Sequence, residues 1–86
     1  MSDRPDLERA LPRECADLNR FDSRIPWWRV PGVVAWLESI AIERAAAEER
    51  RMRPGTSEQA ALAAVCRRFG VPITTYLARI RRWLSR

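Results

Sequence analysis

Three helix-breaking points, Pro31, Pro54-Gly55 and Gly70-Val71-Pro72, divide the C-terminal two thirds of this chain and constrain its fold more than any other feature. Proline lacks the donor that a helix interior needs and glycine ends helices readily, so each point separates one helical run from the next. Between Pro31 and Met52, Val33, Trp36, Leu37 and Ile40 recur at i, i+3, i+4 and i+7. Ala45-Ala46-Ala47 with Glu and Arg add high intrinsic propensity, so a long helix is predicted with that stripe facing the core. Its last two turns are charged and solvated, with Glu49 placed to pair with Arg53. Ile42 falls opposite Ile40, which points to a second contact surface for a partner subunit.

After Pro54-Gly55, the run Thr56-Ser57-Glu58-Gln59 supplies hydroxyl caps, with Thr56 and Gln59 at capping-box spacing. The helix that follows carries Leu62, Val65, Cys66 and Phe69 on one face and stops at Gly70. A last helix then runs to about Ser85 with an apolar stripe of Ile73, Tyr76, Leu77, Ile80, Trp83 and Leu84. On its opposite face Thr75, Arg79, Arg82 and Arg86 fall in one row.

The N-terminal segment, residues 1–24, is charged and reads as one or two short helices or as an arm. Leu7 and Leu11 are spaced one turn apart, as are Leu18 and Phe21, and Pro12 is suited to starting a helix rather than sitting inside one. From Asp22 to Pro31 an extended connector is predicted, because Pro26 and Pro31 push the residues before them toward extended geometry. Trp27 and Trp28 would then point to opposite sides, one plugging the core and the other at the surface or an interface. The whole is an all-α, small single-domain helical bundle of three to four helices spanning residues 1–86, with residues 25–86 as its core and a C-terminal helix-turn-helix-like pair.

Charge narrows the range of partners. Sixteen arginines and no lysine stand against eleven acids, for a formal net charge of +5. The excess lies in the last third, where residues 54–86 hold six Arg and one acid. Such a distribution favours polyanions or acidic protein surfaces. With no His and no Lys, and only three glycines, the common general bases and phosphate-cradling loops are missing, so a binding module is expected rather than an enzyme. Two cysteines, Cys15 and Cys66, cannot complete a familiar zinc site, and no metal or cofactor is expected. No apolar run is long enough to cross a bilayer and no signal peptide is evident, so a cytoplasmic protein without a membrane partner is the expectation.

Two helices joined by a short glycine turn, the second amphipathic and basic, are what a helix-turn-helix requires. The run Ala64-Val65-Cys66-Arg67-Arg68-Phe69-Gly70-Val71-Pro72-Ile73-Thr74-Thr75-Tyr76 resembles the helix-turn-helix of small transposase subunits and related bacterial regulators. In those proteins a small residue, three variable positions, a glycine and a β-branched residue lead into a helix with a threonine before an aromatic. The resemblance covers about a third of the chain, and implies that Cys66 is the small buried residue, Gly70 the turn, Val71 the buried residue after it, and Thr75-Tyr76 the threonine-aromatic pair. The chain departs from that pattern at Arg79, where an apolar anchor is usual, and at Pro72 and Ile73, which replace polar residues. Either the turn is one residue longer here or the pair is an ordinary hairpin.

Two functional readings follow. In the first, a dimeric DNA-binding regulator contacts phosphates through Arg67, Arg68, Arg81, Arg82 and Arg86, while Thr74, Thr75, Ala78 and Arg79 face base edges of duplex DNA. In the second, a helical adaptor binds an acidic protein partner through Trp27, Trp28, Ile42 and the arginine face. Homodimerisation through the long helix or the N-terminal arm would supplement the small core of so short a chain.

Overall fold

A computed structural model describes residues 3–20 and 24–85. The fold is all-α. Among the described residues there are five α-helices: α1 (Pro5–Ala10), α2 (Pro12–Asn19), α3 (Pro31–Met52), α4 (Glu58–Phe69) and α5 (Ile73–Leu84), with a single 3-10 turn at Trp27–Arg29. The count exceeds the three to four expected because Pro12 splits the N-terminal segment into two short helices, each opening on a proline. Leu11 caps the end of one and the start of the next, and it is fully buried. The chain divides into two compact units, Met1–Ala41 and Ile42–Arg86.

The first unit buries Leu7, Leu11, Cys15, Trp27, Leu37 and Ala41. Its unexpected feature is ionic. The Arg4 guanidinium lies 3.0 Å from Asp6 and 2.8 Å from Glu38, a carboxylate from the middle of α3 that is almost wholly buried. The hydrogen bond to Asp6 and the charge of Glu38 hold the guanidinium more firmly protonated than usual, and the same contact lowers the Asp6 carboxyl.

That pairing turns α3 away from the predicted orientation. Glu38 and Ser39 are buried, whereas Trp36, expected in the core, is 45% exposed. The Ser39 hydroxyl is satisfied locally by donating to the Ala35 carbonyl at 2.9 Å. With the charge of Glu38 neutralised by Arg4, its side of the helix can face inward, and the bulky indole of Trp36 is left toward water.

The connector also differs from its extended prediction. Asp22, together with Phe21 and Ser23, lies outside the described residues. Pro26 and Val30 are extended, but Trp27–Arg29 winds into one 3-10 turn. The two indoles therefore do not point to opposite sides. They meet edge to face with ring centroids 5.6 Å apart, Trp27 buried and Trp28 half-buried.

The core of the second unit joins Ile42 and Ala46 of α3, Ala61, Val65 and Cys66 of α4, Val71 of the turn and Tyr76 of α5. Ile42 is fully buried, so it is a core residue and not the surface contact predicted from its position opposite Ile40. At the charged end of α3, Arg51 pairs with Glu48, and Arg53 lies 3.4 Å from Glu49 as its spacing predicts. The cap of α4 sits one residue later than the Thr56 and Gln59 spacing implies, because the Ser57 hydroxyl accepts the Ala60 amide at 3.1 Å.

Gly70 ends α4 with φ +69°. The Val71 amide donates to the Cys66 carbonyl at 3.0 Å and the Gly70 amide to the Arg67 carbonyl at 3.3 Å, the bond pair of a Schellman cap. Val71 and Cys66, the two ends of the longer bond, both lie in the core.

Stability measurements at three positions test this account. Gly70→Ala forces a side chain into the left-handed region with no steric clash, so urea denaturation should show a loss of about 1 kcal/mol. Gly32→Ala, also in open space but without a left-handed backbone, should instead gain roughly 0.5 kcal/mol. Arg4→Ala, which strands the buried Glu38 carboxylate, should lose about 2 kcal/mol or more, and most of that should return in Arg4→Met/Glu38→Leu.

Candidate functional site

The sequence of α5 sorts its side chains into two arcs. At about 100° per residue, Arg81, Thr74, Ser85, Ala78, Arg82, Thr75 and Arg79 occupy one side, and Trp83, Tyr76, Ile80, Ile73, Leu84 and Leu77 the other. Tyr76 is buried, and Ile73 and Ile80 pack against the core of the second unit, so the first arc is the one turned outward. The inward seam is narrower than the apolar stripe predicts. Leu77 is 45% and Leu84 81% exposed, because α4 and α3 cover only the Ile73, Tyr76 and Ile80 line.

Thr74, Thr75, Ala78, Arg79 and Arg82, five of the nine predicted site residues, line one shallow hollow on the outer face. Thr74, Thr75, Ala78 and Arg82 are exposed and Arg79 is half-buried. Three of the five are small side chains and two are arginines. Arg67 lies elsewhere, on a neighbouring hollow at the turn with Cys66, Val71, Pro72 and Ile73. Arg68 is exposed on α4, and Arg81 is exposed at the border of the α5 polar arc. Arg86 lies outside the described residues.

The electrostatics of this surface follow from composition. No acid occurs after Glu58. Arg67, Arg68, Arg81 and Arg82 make no ion pair among the described residues, whereas Arg51 and Arg53 are matched to α3 carboxylates. Those four guanidinium groups thus carry charge that no acid among the described residues neutralises. No helix among the described residues is long and apolar enough to cross a membrane, and no group of three or more His, Cys, Asp or Glu among them is arranged to hold a metal.

The aromatic patch of the adaptor reading is not assembled as predicted, since Trp27 and Ile42 are both buried. Cys66 and Val71 are buried and Gly70 makes the turn, as the helix-turn-helix resemblance implies, while of the threonine-aromatic pair Thr75 is exposed and Tyr76 buried. A glycine-capped helical hairpin of any kind shares those features. The contact that the sequence reading missed is Arg4 with Glu38, thirty-four positions apart. No local pattern marks it, and the only hint is an acid interrupting the apolar run of α3.

Comparison with protein families, with curated proteins and with solved structures found no match for the chain.

Three buried groups, two in the second unit and one in the first, respond to alkali. Burial pushes the Cys66 thiol up, burial with Glu8 and Glu14 does the same to Cys15, and burial with Glu43, Cys66 and Glu58 raises the Tyr76 phenol. With no lysine in the chain, these are the non-guanidinium side chains that titrate above neutrality. A raised folded pKa means that the unfolded chain ionises first, so stability is flat below the ordinary thiol range and falls as pH rises past about 9. Chemical denaturation across pH 7 to about 11 should show that decline. Absorbance of the single tyrosine should titrate above its ordinary value near 10.

Proposed function

We propose that the chain is a nucleic-acid-binding module whose α5 polar arc docks on duplex DNA. The observation that carries this reading is the hollow lined by Thr74, Thr75, Ala78, Arg79 and Arg82, three small side chains together with two arginines on a helix without acids. Small side chains let a helix approach a groove closely, and guanidinium groups match phosphate oxygens and guanine edges. In this reading Thr74, Thr75, Ala78 and Arg79 face the base edges. Arg67, Arg68 and Arg82 take phosphates, with Arg81 at the margin and Arg86 beyond the described residues.

Packing supports the same assignment. A reading helix has to be held rigidly from behind, and Tyr76, Ile73 and Ile80 anchor α5 to α4 and to the end of α3. A regulator acting on DNA is the biological role this chemistry fits best. The glycine-turned helix pair, read as a helix-turn-helix, is the element that would present the arc.

Fluorescence anisotropy with a labelled duplex tests the proposal. Three to four phosphate contacts imply that raising salt from 50 to 200 mM weakens binding roughly 40- to 150-fold. Arg82→Ala should flatten the dependence of log affinity on log salt by about one contact's share, across all duplex sequences. Thr75→Val or Arg79→Ala should instead change the preference among sequences. Absence of salt-dependent association at micromolar protein would refute the reading.

A further inference from the structure

A second surface of the C-terminal unit lies on the other side of α5. Glu43 of α3, Glu58 and Leu62 of α4, and Ile80 and Leu84 of α5 line a groove of about 430 Å³ that also reaches Tyr76. Its walls are apolar, and its rim carries the Arg50 guanidinium beside the two carboxylates. Both are exposed, and neither is in an ion pair among the described residues. These acids stand out in a unit whose charge is otherwise strongly positive.

Beside the groove, Leu77, Arg81 and Leu84 recur at i, i+4 and i+7 and form one strip of α5. Both leucines are exposed, and Arg81 is exposed and makes no ion pair among the described residues. One face therefore holds both halves of a match: an apolar groove edged with carboxylates, and an apolar ridge carrying a guanidinium. A surface that complements itself is what a two-fold interface requires.

We propose that this face joins two copies of the chain, the Leu77, Arg81 and Leu84 strip of each lying over the groove of the other with Arg81 directed at Glu43 and Glu58. Charge complementarity selects this occupant. The two carboxylates outnumber the Arg50 guanidinium on the rim, and a second α5 brings apolar area and a cation to them together. The polar arc of α5 points away from this face, so the dimer leaves Thr74, Thr75, Ala78, Arg79 and Arg82 open and does not depend on the nucleic-acid reading. It draws Arg81, at the border of the two faces, to the carboxylates.

Sedimentation equilibrium of the full chain, without nucleic acid, tests the proposal. The native chain should dimerise at tens of micromolar, and Leu84→Glu should weaken that association roughly tenfold or more while far-UV circular dichroism stays unchanged. Arg81→Glu and the double variant Glu43→Arg/Glu58→Arg should each be monomeric alone. Mixed in equal amounts they should form a heterodimer, because every charge pair is then restored. A native chain that stays monomeric would overturn the proposal, as would a dimer indifferent to Leu84→Glu and Arg81→Glu, or variants that fail to associate when mixed.

Discussion

The reversal at Gly70 governs the C-terminal half of the molecule. Its left-handed backbone lets the Val71 amide reach back to the Cys66 carbonyl, and that bond draws Val71 into the core beside the residue it caps. Once Val71 is fixed, the extended Pro72 starts α5 at a defined angle of rotation about its axis. Ile73, Tyr76 and Ile80 then face inward and the threonines face out. Which side chains a partner can meet is thus decided several residues before the face that meets it.

Around that reversal the second unit is assembled from small parts. Ala46, Ala61 and Cys66 allow α3 and α4 to come close, and Val65, Ile42 and Tyr76 fill the remaining space. The seam that results is narrow. It covers three positions of α5 and leaves Leu77 and Leu84 uncovered, so the same packing that exposes a polar arc on one side exposes an apolar ridge on the other. The first unit solves its problem differently, by pairing Arg4 with a carboxylate buried in α3. Burying that pair sets the rotation of the N-terminal half of α3 in a way that apolar area alone would not.

Helix boundaries were legible because proline and glycine mark them chemically. Pro31 opens α3, Pro54 and Gly55 fall between the end of α3 and the start of α4, Gly70 directly follows α4, and Pro12 opens α2 as its missing amide requires. Facing was legible where periodicity and burial coincide, as in α5, and the five residues around its hollow were recognisable from spacing. It was only partly legible in α3. There Leu37 is buried as the apolar pattern of Val33, Trp36, Leu37 and Ile40 implies, but Trp36 is exposed and Glu38, paired with a residue far away in the chain, is buried instead. Ile42 was misread because the residues that bury it, Ala61, Val65 and Tyr76, are remote in sequence. The Trp27 and Trp28 geometry escaped because one 3-10 turn replaces an extended dipeptide, a choice that Pro26 permits but does not dictate.

The cations lining the α5 hollow have one further property. Each is an arginine, and the whole chain contains no lysine. Amine-directed acylation therefore finds no side chain on this face to neutralise, and the planar, forked geometry of the guanidinium is the one form in which the surface offers its charge.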